Sequence, residues 1–111
     1  MKLQPNYFNY MLKGTKRIEI RLNDEKRRDI KVGDTIIFLK EPDLKSSFKT
    51  KVIKKSEYPS FKELLKSYDN SILADKTVSK EEILTSLEQF YPKEMQAKYG
   101  CLAIEVTLLK D

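Results

Sequence analysis

Apolar positions change their period several times along this chain, and each change marks an element. Phe8, Met11 and Leu12 fall at i, i+3 and i+4 between Pro5, which suits a first helical turn, and Gly14, which can adopt the left-handed conformation that ends a helix. A helix over about 5–13 is predicted. Ile18, Ile20 and Leu22 then alternate with Arg17, Glu19 and Arg21, the pattern of a strand with one buried and one polar face. Residues 23–28 contain no apolar side chain and read as an exposed basic loop, after which Ile30 and Val32 lead into the turn dipeptide Gly33-Asp34. Thr35 to Lys40 is a mostly apolar strand. Glu41 to Ser47, with Pro42, is a connection, and in the strand that follows Phe48, Thr50 and Val52 oppose Lys49 and Lys51. Val52 and Ile53 stand side by side and break the alternation, which predicts a bulge. The stretch from Lys54 to Pro59 reads as a connection between a strand-rich half and a helical half. Ser60-Phe61-Lys62-Glu63 and Ser79-Lys80-Glu81-Glu82 both fit the S-x-x-E capping box, predicting helices at about 60–68 and 80–90. Pro92 and Gly100 bound a third short helix, and Leu102, Ile104, Val106 and Leu108 alternate as a closing strand.

These elements make an α+β chain. At 111 residues and 40% hydrophobic, with no repeat or Gly/Ser-rich linker, it is long enough for one core and is expected to form a single domain, 1–111. No apolar run approaches the roughly 20 residues of a membrane span, and the N-terminal stretch lacks a signal-peptide pattern, so a cytoplasmic location is expected. Cys101 is the lone cysteine and lies in an apolar stretch, where a core thiol is expected. The chain has no His, which removes the commonest zinc ligand and neutral-pH base, so neither metal nor cofactor is expected.

The net charge of +5 is unevenly spread. Residues 1–55 hold 15 Lys and Arg against 7 Asp and Glu, whereas residues 56–111 hold 7 against 10. A cationic first half favours an anionic partner, nucleic acid first, because clustered Lys and Arg release counterions from phosphates. A solvated surface is the alternative reading of so modest a charge.

The segment Gly14-Thr15-Lys16-Arg17-Ile18-Glu19-Ile20-Arg21, followed by Val32-Gly33-Asp34, closely resembles the G-x-K-x-x-E-x-R and V-G-D motif of the ASCH (activating signal cointegrator homology) family, within the PUA-like superfamily. Asn23 to Arg28, Tyr58-Pro59-Ser60-Phe61 and Tyr99-Gly100 resemble features of a bacterial ASCH subgroup. The resemblance covers nearly the whole chain. It implies a small PUA-like, partly open β-barrel flanked by helices, with a cleft beside the motif strand.

Glu19 and Arg21 lie two apart on one strand face, so they can share a site, with Arg21 offering a fork suited to phosphate or a base edge and Glu19 either accepting from a base or holding Arg21. Lys16 has the opposite parity and joins them only if the chain bends after Gly14. The bland alternative is a solvated ion-pair ladder. Arg27, Arg28, Lys49 and Lys51, with Lys26, are candidate phosphate contacts, and Tyr7, Tyr10 and Tyr58 are the aromatic candidates for stacking a base. Lys16 and Glu19 are the catalytic candidates. Some ASCH proteins hydrolyse 4-acetylcytidine with a Lys, a Thr and a distant Glu. Lys16 matches that Lys, but Glu19 stands at the Thr position and Asp75 or Lys76 at the Glu position, leaving Thr15 as the substitute hydroxyl. Lys16 beside Glu19 is held charged rather than poised as a neutral base. The expectation is an RNA- or nucleotide-binding module, with a modified-nucleoside hydrolase, a ribonuclease or a protein-binding adaptor as alternatives.

Overall fold

Side chains that alternate along a strand can bury one face against a core, and in this chain that rule builds a single curved sheet. The computed structural model describes residues 1–109. Among them the strands are β1 (Lys2–Leu3), β2 (Ile18–Leu22), β3 (Thr35–Lys40), β4 (Ser47–Tyr58) and β5 (Cys101–Leu108), in the order β1-β3-β4-β5-β2. The helices are α1 (Pro5–Lys13), α2 (Phe61–Lys66), α3 (Asn70–Leu73), α4 (Lys80–Phe90) and α5 (Lys93–Tyr99). The fold is α+β, and the sheet is a half-barrel that does not close: β1 and β2 are its two edges. β1 pairs parallel with β3, and the other neighbours pair antiparallel.

The inner face of the sheet is lined by Leu3, Ile36, Phe38, Val52, Leu102, Ile104 and Val106, and Phe8 and Met11 of α1 fill it. A second core lies on the other face of β2 and β5. There Ile18, Ile20, Leu22, Cys101 and Ala103 meet Phe61, Leu64 and Leu65 of α2, Leu73 of α3 and Ile83 of α4. β5 is thus buried on both faces, which is why its sequence is a nearly unbroken apolar run.

Sequence-level expectations hold at most boundaries. α1 ends at Gly14 with φ +88°, Ser60 and Ser79 accept from the backbone N–H groups of Glu63 and Glu82, and the β4–β5 register shifts between Val52 and Lys54. Four points differ. β1 and α3 carry too few residues for a periodic signal. α2 is shorter than the expected 60–68, stopping at Lys66. β4 also runs on through Lys54–Tyr58, read above as a connection, because the backbone of β5 pairs with it there regardless of its polar side chains.

Cys101 is buried, and desolvation pushes its thiol up to about 12. Native protein is expected to react with a thiol reagent such as 5,5′-dithiobis(2-nitrobenzoate) only as fast as it opens, with full reaction in urea; rapid native labelling would contradict the burial.

Candidate functional site

Register decides where the motif strand points its charges. Glu19 lies opposite Ile104 and Arg21 opposite Leu102, so both project to the inner face of the half-barrel, at its unclosed edge. The polar face expected for β2 is therefore not a solvated one: Glu19 is only 4% exposed, because β1, α1 and α4 close over it. The chain does bend after Gly14, whose left-handed backbone turns Lys16 back into the same space, where it too is 4% exposed.

The three charges form one network. Lys16 Nζ donates to the carbonyls of Ile18 and Leu73, the latter at 2.9 Å, and lies 3.4 Å from Glu19 Oε1. Glu19 Oε1 also accepts from the Ile20 N–H at 3.2 Å. On the other side Glu19 Oε2 is 2.9 Å from Arg21 Nε and 2.7 Å from Arg21 Nη2. Arg21 Nη2 then reaches across the gap to the Lys2 carbonyl of β1 at 2.6 Å. Where a closed barrel would have backbone hydrogen bonds between β2 and β1, this one has a side chain. Lys16 and Glu19 serve the Ile18 carbonyl and the Ile20 N–H in the same way, so the edge strand is satisfied without a strand partner.

Burial works against ionisation of Glu19, but Arg21, Lys16 and the donated hydrogen bonds outweigh it and hold the carboxyl below its ordinary range. Burial pulls the Lys16 ammonium below the ordinary lysine value, partly offset by Glu19. Burial also opposes the Arg21 charge, yet Glu19 and then Tyr91 raise it.

A cleft of about 300 Å³ opens over this floor. Lys2, Leu3 and Gln4 form one side, Tyr7 stands with its ring centroid 5.5 Å from Lys16 Nζ, and α4 forms the opposite wall. On α4, Ile83, Ser86, Leu87 and Phe90 line the cleft, followed by Tyr91. They fall at i, i+3, i+4 and i+7, one face of the helix. Sequence reasoning missed this wall, although the spacing, the Ser inside an apolar stripe and the Phe at its end were all legible.

Of the three aromatic candidates, Tyr7 lines the cleft, whereas Tyr10 and Tyr58 pack against the second core. The Tyr58 hydroxyl donates to that of Tyr68 at 3.2 Å. The basic candidates are placed elsewhere. Arg27 is paired with Asp24 at 2.8 Å, Lys26 and Arg28 are exposed on the β2–β3 loop, and Lys49 and Lys51 extend from the outer face of β4, opposite Ile37 and Thr35. Thr15 Oγ1 lies 3.1 Å from the carbonyls of Tyr10 and of Ala74, and Asp75 accepts from Thr77; neither Thr15, Asp75 nor Lys76 lines the cleft. Among the described residues no group of three or more His, Cys, Asp or Glu is placed to hold a metal ion, and no helix is long and apolar enough to cross a membrane.

Comparison with known proteins adds three findings. The family model for the ASCH domain matches residues 1–110. The crystal structure of hypothetical protein PH0355 is similar, with a TM-score of 0.83 and 38% identity over 98% of this chain and 96% of that one. The solution structure of protein PF0455 from Pyrococcus furiosus aligns over 100% of both chains with a TM-score of 0.70 and 34% identity. A search of the curated proteins found no match.

Proposed function

The chain belongs to the ASCH domain family, within the PUA-like superfamily, and we propose that its seam cleft binds single-stranded RNA or a nucleotide, a base entering the cleft while the phosphates stay at its rim. The observation that carries this reading is the pairing of a floor holding two cations to one carboxylate with walls built from Tyr7, Leu87, Phe90 and Tyr91. Aromatic walls offer stacking surface to a base, and the surplus positive charge attracts an anionic chain. The volume, about 300 Å³, sits at the small end of ligand pockets and suits one nucleotide unit rather than a duplex. Lys2 at the rim, and Arg28, Lys49 and Lys51 further off, add long-range attraction rather than direct contacts in the cleft.

Hydrolysis is the competing reading and draws less support from the geometry. A base or nucleophile needs a free lone pair near the substrate. Lys16 has its protons committed to two carbonyls and a carboxylate, and Glu19 is held ionised with both oxygens engaged.

The test is a titration of labelled single-stranded and duplex RNA at two salt concentrations, with the RNA checked for integrity afterwards. Single-stranded RNA is expected to bind more tightly, to weaken as salt rises and to remain intact. Absent or salt-insensitive binding contradicts the proposal, and cut RNA moves it to the nuclease alternative.

A further inference from the structure

A count of donors and acceptors separates the cleft groups that are already committed from those left for a ligand. The three protons of the Lys16 ammonium face the Ile18 carbonyl, the Leu73 carbonyl and Glu19 Oε1. A carboxylate offers about four acceptor positions. In Glu19 they meet the Ile20 N–H, Lys16, and Nε and Nη2 of Arg21. Glu19 therefore has no position left for the amino group of a base, and its role is to hold the two cations.

Arg21 is different. Its Nε and Nη2 are directed to Glu19 and Lys2, but among the described residues Nη1 has no carboxylate or carbonyl acceptor. Tyr91 lines the same cleft as Arg21, and its hydroxyl has a proton to donate. Both groups line the cleft, and both present donors to it. At the mouth Phe90 is 61% exposed, a large flat side chain left in water beside Tyr91, with ring centroids 6.5 Å apart.

We infer, building on the RNA reading above, that the cleft reads the exocyclic group at C4 of a pyrimidine or C6 of a purine, and selects the carbonyl of uracil and guanine over the amino group that cytosine and adenine carry there. Arg21 Nη1 and the Tyr91 hydroxyl donate to the carbonyl oxygen, and Phe90 stacks on the ring. Guanine and the thymine-type ring offer an acceptor oxygen where adenine and cytosine offer an N–H donor. A donor facing the donors of Arg21 and Tyr91 leaves buried N–H groups without acceptors, which a small site rejects more strongly than a missing methylene.

The experiment is an NMR chemical-shift titration with UMP, GMP, CMP, AMP and ribose 5-phosphate, on wild-type protein and on Tyr91→Phe and Phe90→Ala variants. UMP and GMP are expected to bind about tenfold tighter than CMP and AMP. Tyr91→Phe, which keeps the ring packed on Phe61, is expected to narrow that gap, and Phe90→Ala to weaken all four. Comparing UMP with GMP shows which ring the cleft prefers. If all four nucleotides bind equally and shift cleft resonances, carbonyl selection is wrong while the RNA reading stands; an unchanged gap in Tyr91→Phe also overturns it. If ribose 5-phosphate matches UMP, the base is not read. If nothing binds, both this inference and the RNA reading fall.

Discussion

Glu19→Ala is expected to destabilise the protein by about 3–5 kcal/mol, the usual loss when one partner of a buried ion pair is removed and the other is left in place. Lys16 is buried: its ammonium is held by the Ile18 and Leu73 carbonyls, and burial already opposes its charge. Removing Glu19 also releases the Ile20 N–H on an edge strand that has no neighbour there. A Lys16→Met/Glu19→Leu double variant, which removes the stranded ammonium, is expected to recover only part of the loss, since Arg21, the Ile20 N–H and the Ile18 and Leu73 carbonyls still lack those partners. Urea midpoints of the three proteins decide the matter, since a loss below about 1 kcal/mol in Glu19→Ala would mean that the pair behaves like a surface salt bridge.

Acid titration gives the same residue a second readout. Because the folded Glu19 carboxyl lies below its ordinary value, the unfolded chain takes up that proton first as pH falls. The stabilisation is complete above the ordinary carboxylate range and is lost as pH drops through the folded value. Wild-type stability should fall more steeply than that of Glu19→Gln in this window. Lys16 works in the same direction in a higher window: its folded value is also lowered, so stability rises as pH climbs from that value to the ordinary lysine value.

Arg21→Ala is expected to weaken RNA binding by about tenfold to a hundredfold, the range for losing hydrogen bonds to a charged group. Arg21→Lys should fall between the two, because an ammonium keeps the charge but cannot hold Glu19 through two nitrogens and still reach Lys2. Either variant keeps the Lys16–Glu19 contact but loosens the hold on Glu19 and Lys2, so urea midpoints should fall, and affinity and its salt dependence are to be compared where circular dichroism shows each variant fully folded. Equal affinity in wild type and Arg21→Ala would remove the cleft from the binding reaction.

Much of the fold was legible in local chemistry. Period-two alternation located β2 and β5, serine caps opened α2 and α4, and the adjacent Val52 and Ile53 marked the bulge. What escaped depends on partners distant in sequence. Lys2 and Leu3 form a strand because β3 offers them an edge, and Lys54 to Tyr58 because β5 does, whatever their side chains. The site divides along the same line. That Glu19 and Arg21 share a face follows from parity, and that Lys16 can join them follows from Gly14. Nothing in the motif itself says that α4, more than sixty residues later, covers them. Burying Arg17 as well would have made the strand symmetric, yet Arg17 stays exposed and turns its Nε toward the Gly14 carbonyl at 3.5 Å.

The seam of the half-barrel divides labour between two sets of residues that can change independently. Lys16 and Glu19 stand in for missing strand contacts, so substitution there is felt by the whole sheet. Ser86 and Phe90 face the same space from α4 without serving any sheet edge. Altered side chains at those positions would reshape what the cleft accepts at little risk to folding, so one unclosed barrel can be retuned to successive ligands without being rebuilt.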